Sequence, residues 1–341
     1  MGLIASFHLP LAFGIPCFQL DPFEWIAAPV LMLEAASREK ATIAWMPNFA
    51  YNLMADHIHE EDLADIRLDS LRLLVNCSEP VRYASHERFA RRFGPYGFRR
   101  EALAACYAMA ETTFAVTQSI PGKESAVLEA SREDLARGRF AVPAPGQKWI
   151  ACVSSGRPIS GCEVLIVDDG CEPLPEGYVG EVMIRSVSMF DGYRNNPEET
   201  SKVIKDGWYR SGDYGFCREG EYHILGRKKD IIIVAGKNIY PEDIEYAVAE
   251  VPGVIAGRVV AFGLEDEAAG TEQVCVIAET PVEDSVGRKA LRSAVVMAGM
   301  AGDVTISRVY LVPPRWLFKS SSGKPSRSAN KQRALRELSS T

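Results

Sequence analysis

The sequence predicts an α/β protein in two parts, a reading carried by three observations. In residues 1 to about 125, short apolar runs such as 71–76 alternate with amphipathic helical patterns. From about 126 to 225 the pattern changes to short strands between Gly/Pro turns, as in a small barrel-like portion. Beyond Lys229 the order strand, helix, strand, strand, helix, strand, loop, helix describes a compact, smaller α/β domain. The 341 residues are enough for two domains with a substantial core, and the expected division is 1–227 and 228–341.

Taken in order, the run from Met1 to Phe18 is apolar but has no positive start, and His8, Pro10 and Pro16 interrupt it. It reads as neither a leader nor a membrane span, although Met1-Gly2 with Ser6 also fits the myristoylation pattern. Met1-Gly2-Leu3-Ile4 resembles the inside of a segment of the family named below, and that resemblance implies an internal buried helix. Pro22 opens a helix-like segment running to Leu33. Ala41 to Trp45 reads as a strand, and Pro47-Asn48-Phe49 begins the next helix. Leu71 to Asn76 is a buried strand, with Cys77-Ser78-Glu79-Pro80 turning at its C-terminal end, where open α/β sheets bind ligands. A helix over about 82–93 follows, and then Cys106-Tyr107-Ala108-Met109-Ala110-Glu111-Thr112. Strands are expected at 149–153, 163–167 and 179–185.

The stretch 209–245 organises the chain. Asp213 sits in a Ser-Gly-Asp turn, and a short strand over 222–225 leads into Gly226-Arg227. Lys228-Lys229 precede a β-branched run, Asp230 to Val234, and a Gly-Lys-Asn turn. Pro241 opens a helix with Glu242 and Asp243 in its first turn, and Ile244, Ala247, Val248 and Val251 form one apolar face. An Asp that accepts and an Arg that donates suit neighbouring hydroxyls such as those of a ribose. A salt-bridged turn is the plainer reading of such a pair taken alone.

Composition excludes several classes. The formal net charge of −7 comes with no basic stripe for nucleic acid or an anionic membrane. Eight scattered cysteines without a C-x-x-C read as reduced thiols of a cytoplasmic protein. His57 and His59, beside three acids and without further ligands at metal spacing, read as a solvated loop.

The order S-G-D, L-G-R-x-K-D and G-x-N-x-Y-P-x-D-I-E resembles the adenylate-forming superfamily of acyl-CoA synthetases, peptide-synthetase adenylation domains and luciferases. The resemblance implies a large α/β domain with a β-barrel subdomain, followed by a mobile lid. It implies ATP as substrate with Mg2+. Phe318-Lys319-Ser320-Ser321-Ser322-Gly323-Lys324 is similar to the family's Pro-Lys-Thr-x-x-Gly-Lys element, which makes Lys324 the catalytic lysine. Read alone, the same run is a solvated basic tail. Tyr107 resembles the adenine-stacking tyrosine and Glu111 the magnesium-ligating glutamate; core packing and a helix N-terminal acid are their plain alternatives. Ala110 stands where many relatives carry Thr, so it brings no hydroxyl to the phosphate. Ser78, Glu79 and Pro80 resemble the adenine-side loop, and Asp213 and Arg227 the ribose contacts. Lys229 falls at the hinge, within 228–230, and Gly236 at the thiol tunnel. Asn48, Phe49 and Met109 stand where the acyl pocket is lined.

The run Asn76 to Arg82, the turn Pro95 to Phe98, the run Tyr240 to Glu245 and the extra segment near 132–148 resemble the fatty acyl-AMP ligase branch. That branch activates a fatty acid as acyl-AMP and hands it to a carrier-protein phosphopantetheine. An acyl-CoA ligase and a non-catalytic acyl-adenylate-binding remnant are the alternatives. The resemblance covers nearly all of the chain but only the back part of the family's sequence. The Ser/Thr/Gly-rich phosphate loop ending in Pro-Lys-Gly is expected upstream of Met1.

Overall fold

The computed structural model describes residues 2–266, 270–319 and 324–338. They form two compact units. One comprises the residues up to Asp134 with Arg139–Leu225, the other Leu135–Gly138 with Gly226 onward.

The first unit is built on a mixed sheet. Strands β1 (Ile43–Met46), β2 (Leu73–Asn76) and β3 (Leu103–Ala108) run parallel, and β4 (Ala115–Gln118) and the short Arg157–Pro158 continue the sheet antiparallel. Helices Asn48–His57 and Tyr83–Phe93 cover it through Tyr51, Met54, Phe89 and Phe93. Each such side chain contributes about 1.5–3 kcal/mol by leaving water. Tyr51 is wholly buried, and its hydroxyl donates to the Leu74 carbonyl at 2.9 Å, which satisfies the polar end of an otherwise apolar ring. A second, antiparallel sheet joins Cys162–Val167, Gly180–Ser186, Trp208–Arg218 and Ile204–Lys205, with Glu221–Arg227 pairing on the long strand.

Three expectations need correction here. Residues 2–13 are helical, but the helix is not buried: Leu11 and Phe13 are each 70% exposed, and Ala5 is its buried side chain. Among the described residues nothing covers this face. The Ser-Gly-Asp segment is not a terminal turn. It lies inside the eleven-residue strand Trp208–Arg218, at a bulge where the register to Gly180–Ser186 shifts between Arg210 and Tyr214. Gly212 takes φ +69°, which a bulge of this kind asks of a glycine. The segment expected to run to Leu33 is broken into Pro22–Ala27 and Val30–Arg38 by Pro29.

The second unit centres on strands Val259–Asp266, Thr271–Glu279 and Ile306–Val312, the first pair antiparallel and the second parallel. Alternation divides its two faces. Ala261, Val274 and Val276 pack with Ile244 and Val248 of helix Pro241–Ala249 and with Leu291 and Val295 of helix Ser285–Ala301. Val260, Phe262, Cys275 and Ile277 face Trp316, Leu317 and Ala334. Covered on both sides, these strands read as continuous apolar runs. A hairpin, Ile232–Val234 with Lys237–Ile239, turns through Ala235 and Gly236, both at positive φ (48° and 76°), as two-residue turns of this hand require. The turn is therefore Ala-Gly, one residue earlier than expected.

Candidate active site

The parallel strands end along one edge. Met46 lies beside Asn76 and Asn76 beside Ala105, so Asn48 and Ser78–Pro80, which follow the first two strands, and Tyr107–Glu111, which closes the third and runs on past it, emerge together. Each stands at the carboxyl end of a parallel strand, where this kind of sheet presents its binding crevice.

Asn48 holds the second of these segments. Its backbone N–H donates to Glu79 Oε1 at 2.9 Å, its side-chain amide donates to the Pro80 carbonyl at 2.9 Å, and its Oδ1 accepts from the Arg82 N–H at 2.9 Å. Asn76 Nδ2 donates to the same Oδ1 at 2.8 Å and to His86 Nε2 at 3.1 Å. Asn48, Asn76 and His86 are all buried. Burial, with Arg100 adding to it, pushes the His86 imidazole down to about 4, so the ring is neutral and accepts at Nε2. Ser78 is held at φ 81°, an uncommon conformation for a residue with a side chain. Asn48, expected in the acyl pocket, thus has its amide engaged by this loop. Phe49 is about half exposed and stacks on Trp25 at 5.9 Å.

Tyr107 and Asp213 meet. The phenol donates to Asp213 Oδ2 at 2.6 Å, in a buried bond between residues 106 positions apart. Asp213 is oriented from behind: its N–H donates to Ser211 Oγ at 3.0 Å, and that hydroxyl donates to the Val182 carbonyl at 2.7 Å. Glu111, in the turn Ala110–Thr112, accepts from Tyr193 Oη at 2.9 Å, and its carbonyl accepts from the Phe190 N–H at 2.8 Å. Tyr193 and Tyr209 hydroxyls lie 3.3 Å apart, and burial raises the pKa of both. Ala110 is exposed, while Met109 packs against the cluster containing Tyr107 and Tyr209. Among the described residues no group of three or more His, Cys, Asp or Glu side chains could hold a metal. Glu111 offers one carboxylate, which fits an ion that arrives on phosphate oxygens rather than one caged by protein.

The remaining expected residues belong to the second unit. Arg227 is exposed at the end of strand Glu221–Arg227, and Lys229 is exposed in the turn Lys228–Asp230. Gly236 is in the hairpin turn. Lys324 is exposed, and Ser320 to Gly323 of its expected loop lie outside the described residues. The loop's two ends are tied together. Lys319 bridges Pro325, the Ser326 N–H donates to the Phe318 carbonyl at 3.0 Å, and the Asn330 side chain bonds Phe318 N–H (2.8 Å) and both Phe318 and Ser326 carbonyls (2.9 and 2.8 Å). Sequence reasoning passed over Asn330, His86 and Tyr193 as site residues. A lone amide, imidazole or phenol has no motif.

A family model described as AMP-binding enzyme matches residues 1–194. The chain is 34% identical over 352 aligned positions to the medium-chain-fatty-acid–[acyl-carrier-protein] ligase JamA of Moorena producens, covering 96% of this chain and 58% of that one. A putative acyl-CoA synthetase of Caulobacter vibrioides is also 34% identical, with 97% and 58% covered. A structure from a study of fatty acyl-adenylate ligases of E. coli and L. pneumophila superposes with a TM-score of 0.92 at 27% identity, over 100% of this chain and 61% of that one. The chain thus spans about three-fifths of the length of the relatives it matches. No helix among the described residues is long and apolar enough to cross a membrane.

Proposed function

The chain belongs to the AMP-binding enzyme family, and from that premise we propose that it serves ATP-dependent activation of a fatty acid as acyl-AMP, followed by transfer to a carrier-protein phosphopantetheine thiol. A carboxylate oxygen attacks the α-phosphorus, and the bond to pyrophosphate breaks. The thiolate then attacks the acyl carbon, and AMP leaves. In this reading Tyr107 lies against the adenine with Ser78, Glu79 and Pro80 beside it. Asp213 and Arg227 take the ribose hydroxyls, and Glu111 contributes an oxygen to Mg2+. Ala110 passes the phosphate without a hydroxyl. Lys324 supplies the mobile ammonium that neutralises charge shared between the acid and the phosphate, Lys229 is the pivot, and Gly236 faces the incoming thiol.

The observation that supports this most is the buried Tyr107–Asp213 bond at the carboxyl edge of the parallel strands. Two residues singled out for one nucleotide, far apart in the chain, share a hydrogen bond. Calorimetric titration with a non-hydrolysable acyl-adenylate tests it. Binding by the chain, weakened about tenfold or more in Asp213→Asn, is expected, since a charge-assisted bond is worth about 1.5–3 kcal/mol. No binding, or no effect of the substitution, overturns it. Lys324→Ala leaves that binding within a few-fold and lowers adenylate formation about 10²- to 10³-fold.

A second reading, transfer to CoA, is favoured by the Caulobacter relative, whose name is that of an acyl-CoA synthetase. JamA is named for an acyl-carrier-protein acceptor. Offering CoA and a holo carrier protein separately, and measuring which is acylated, decides between them. Binding without turnover of either identifies a module that only holds the adenylate.

A further inference from the structure

In the second unit one guanidinium holds three carboxylates. Arg327 opens the helix Arg327–Glu337, three residues after Lys324. Its Nη1 donates to Asp230, the last residue of the turn Lys228–Asp230. Its Nη2 donates to Glu245 Oε1 and Oε2 at 2.9 and 3.0 Å and to Glu242 Oε1 at 3.3 Å. Its Nε donates to the Ala261 carbonyl at 3.0 Å, while the Ala261 N–H donates to Glu245 Oε1 at 2.9 Å. Exposure of the four side chains is only 17–22%. Burial pushes the Glu245 carboxyl up to about 7 against the pull of Arg327. Burial works against the charged guanidinium too, but its acidic neighbours hold Arg327 above the ordinary arginine range.

The partners come from three separate places: the turn at 228–230, the helix Pro241–Ala249 and the edge strand Val259–Asp266. All meet at the residue where the segment bearing Lys324 becomes a helix. Asn330, one helical turn further on, grips Phe318 and Ser326 on either side of that segment. An arginine fork suits this task where a lysine would not, because its five donors lie in one fixed plane.

We propose that Arg327 is a positioning residue that fastens the base of the Lys324 segment to the turn 228–230, so that the two move as one piece. This rests on the reading of Lys324 as the catalytic lysine and of 228–230 as the pivot.

Residue-resolved hydrogen exchange on the whole chain, without nucleotide, tests the coupling. Asp230→Asn removes one charge at the turn and leaves Arg327 two acids. We expect faster exchange at the Ile231 amide, and also about tenfold faster exchange at the Ser326 and Asn330 amides, equivalent to about 1.4 kcal/mol. Arg327→Lys keeps the charge but loses the fork, and is expected to quicken the same amides and to abolish the additional effect of Asp230→Asn. Arg327→Met leaves three buried acids without a cation and is expected to lower the melting temperature strongly, so the lysine variant carries the decision. Exchange that rises at 231 alone in Asp230→Asn, or effects of Asp230→Asn and Arg327→Lys that simply add, overturns the proposal. Acyl-adenylate titration of the same samples reports on the functional reading separately, so either can fail without the other.

Discussion

Residues 2–28 and the strand-edge cluster around Asn48 and Asp213 are opposite in composition and opposite in burial. The first is rich in Leu, Phe and Ile and lies open, with Phe23 82% and Leu3 66% exposed. The second is made of amides, a neutral imidazole, a phenol and a carboxylate, and is closed. A hydrophobic pattern states what a segment needs to have covered, whereas burial depends on what is there to cover it. Polar groups go inside where every strong donor and acceptor finds a partner. Asn48 satisfies that condition through four bonds, and the apolar helix of residues 2–13 has no counterpart among the described residues.

The comparison can be broken most directly at Asn48. Asn48→Ala takes a donor from the Pro80 carbonyl, an acceptor from the Arg82 N–H and one of the two partners of the Asn76 amide, and about 3 kcal/mol of stability should disappear in urea unfolding. A loss below about 1 kcal/mol would mean that this polar cluster does not hold the edge together.

Acid should strain the two units in opposite senses. His86 and His223, both in the first unit, are pushed by burial from 6.5 to about 4. The folded state therefore disfavours their protons: their contribution is full above 6.5 and is lost as pH falls toward 4. By pH 5 each costs roughly 2 kcal/mol. Glu245, in the second unit, is raised from 4.5 to about 7. Its contribution is full below 4.5 and lost as pH rises through 7. Exchange measured at pH 7.5 and 5, corrected for intrinsic rates, should show the core around Tyr51 loosening and the core around Val276 tightening. Parallel changes in the two would defeat this assignment.

Tyr107→Phe removes one hydroxyl from Asp213 and should cost about 1–2 kcal/mol, leaving the buried carboxylate short of a donor. Chemical denaturation reads it. Leu11→Ser with Phe13→Ser should do least to stability, within about 0.5 kcal/mol, because both are largely exposed already. Binding of a hydrophobic dye should fall in that double variant; unchanged dye binding would show that this face is not the open one.

Much of the frame was legible from the chain. The helix from Pro241, with Ile244 and Val248 inside, followed from period and from Pro at its start. The helix expected over about 82–93 is found at Tyr83–Phe93, and the place of Ser78 to Pro80 followed from the buried strand before it. The bulge at Asp213 was not legible, because Ser-Gly-Asp is equally good turn chemistry and only the pairing partner Gly180–Ser186 shows that the strand continues through it. The hairpin turns one residue before Gly-Lys-Asn, which is good turn chemistry by itself, and nothing local reveals that Ala235 accepts a positive φ. Asn48 was placed by position in a resembled fold, and its use as a clamp depends on partners 28 to 34 residues away. Long-range polar bonds of that kind leave no periodic trace.

The Ala235–Gly236 turn has a practical side. An atom added at the Gly236 α-carbon meets nothing within 4 Å, so a side chain grafted there pays only for its left-handed backbone, about 1–2 kcal/mol. A small fluorophore on a cysteine at that spot would stand in open solvent while helix Pro241–Ala249 behind it stays packed. Quenching or brightening of such a dye would give a direct optical signal for whatever docks on this corner of the molecule.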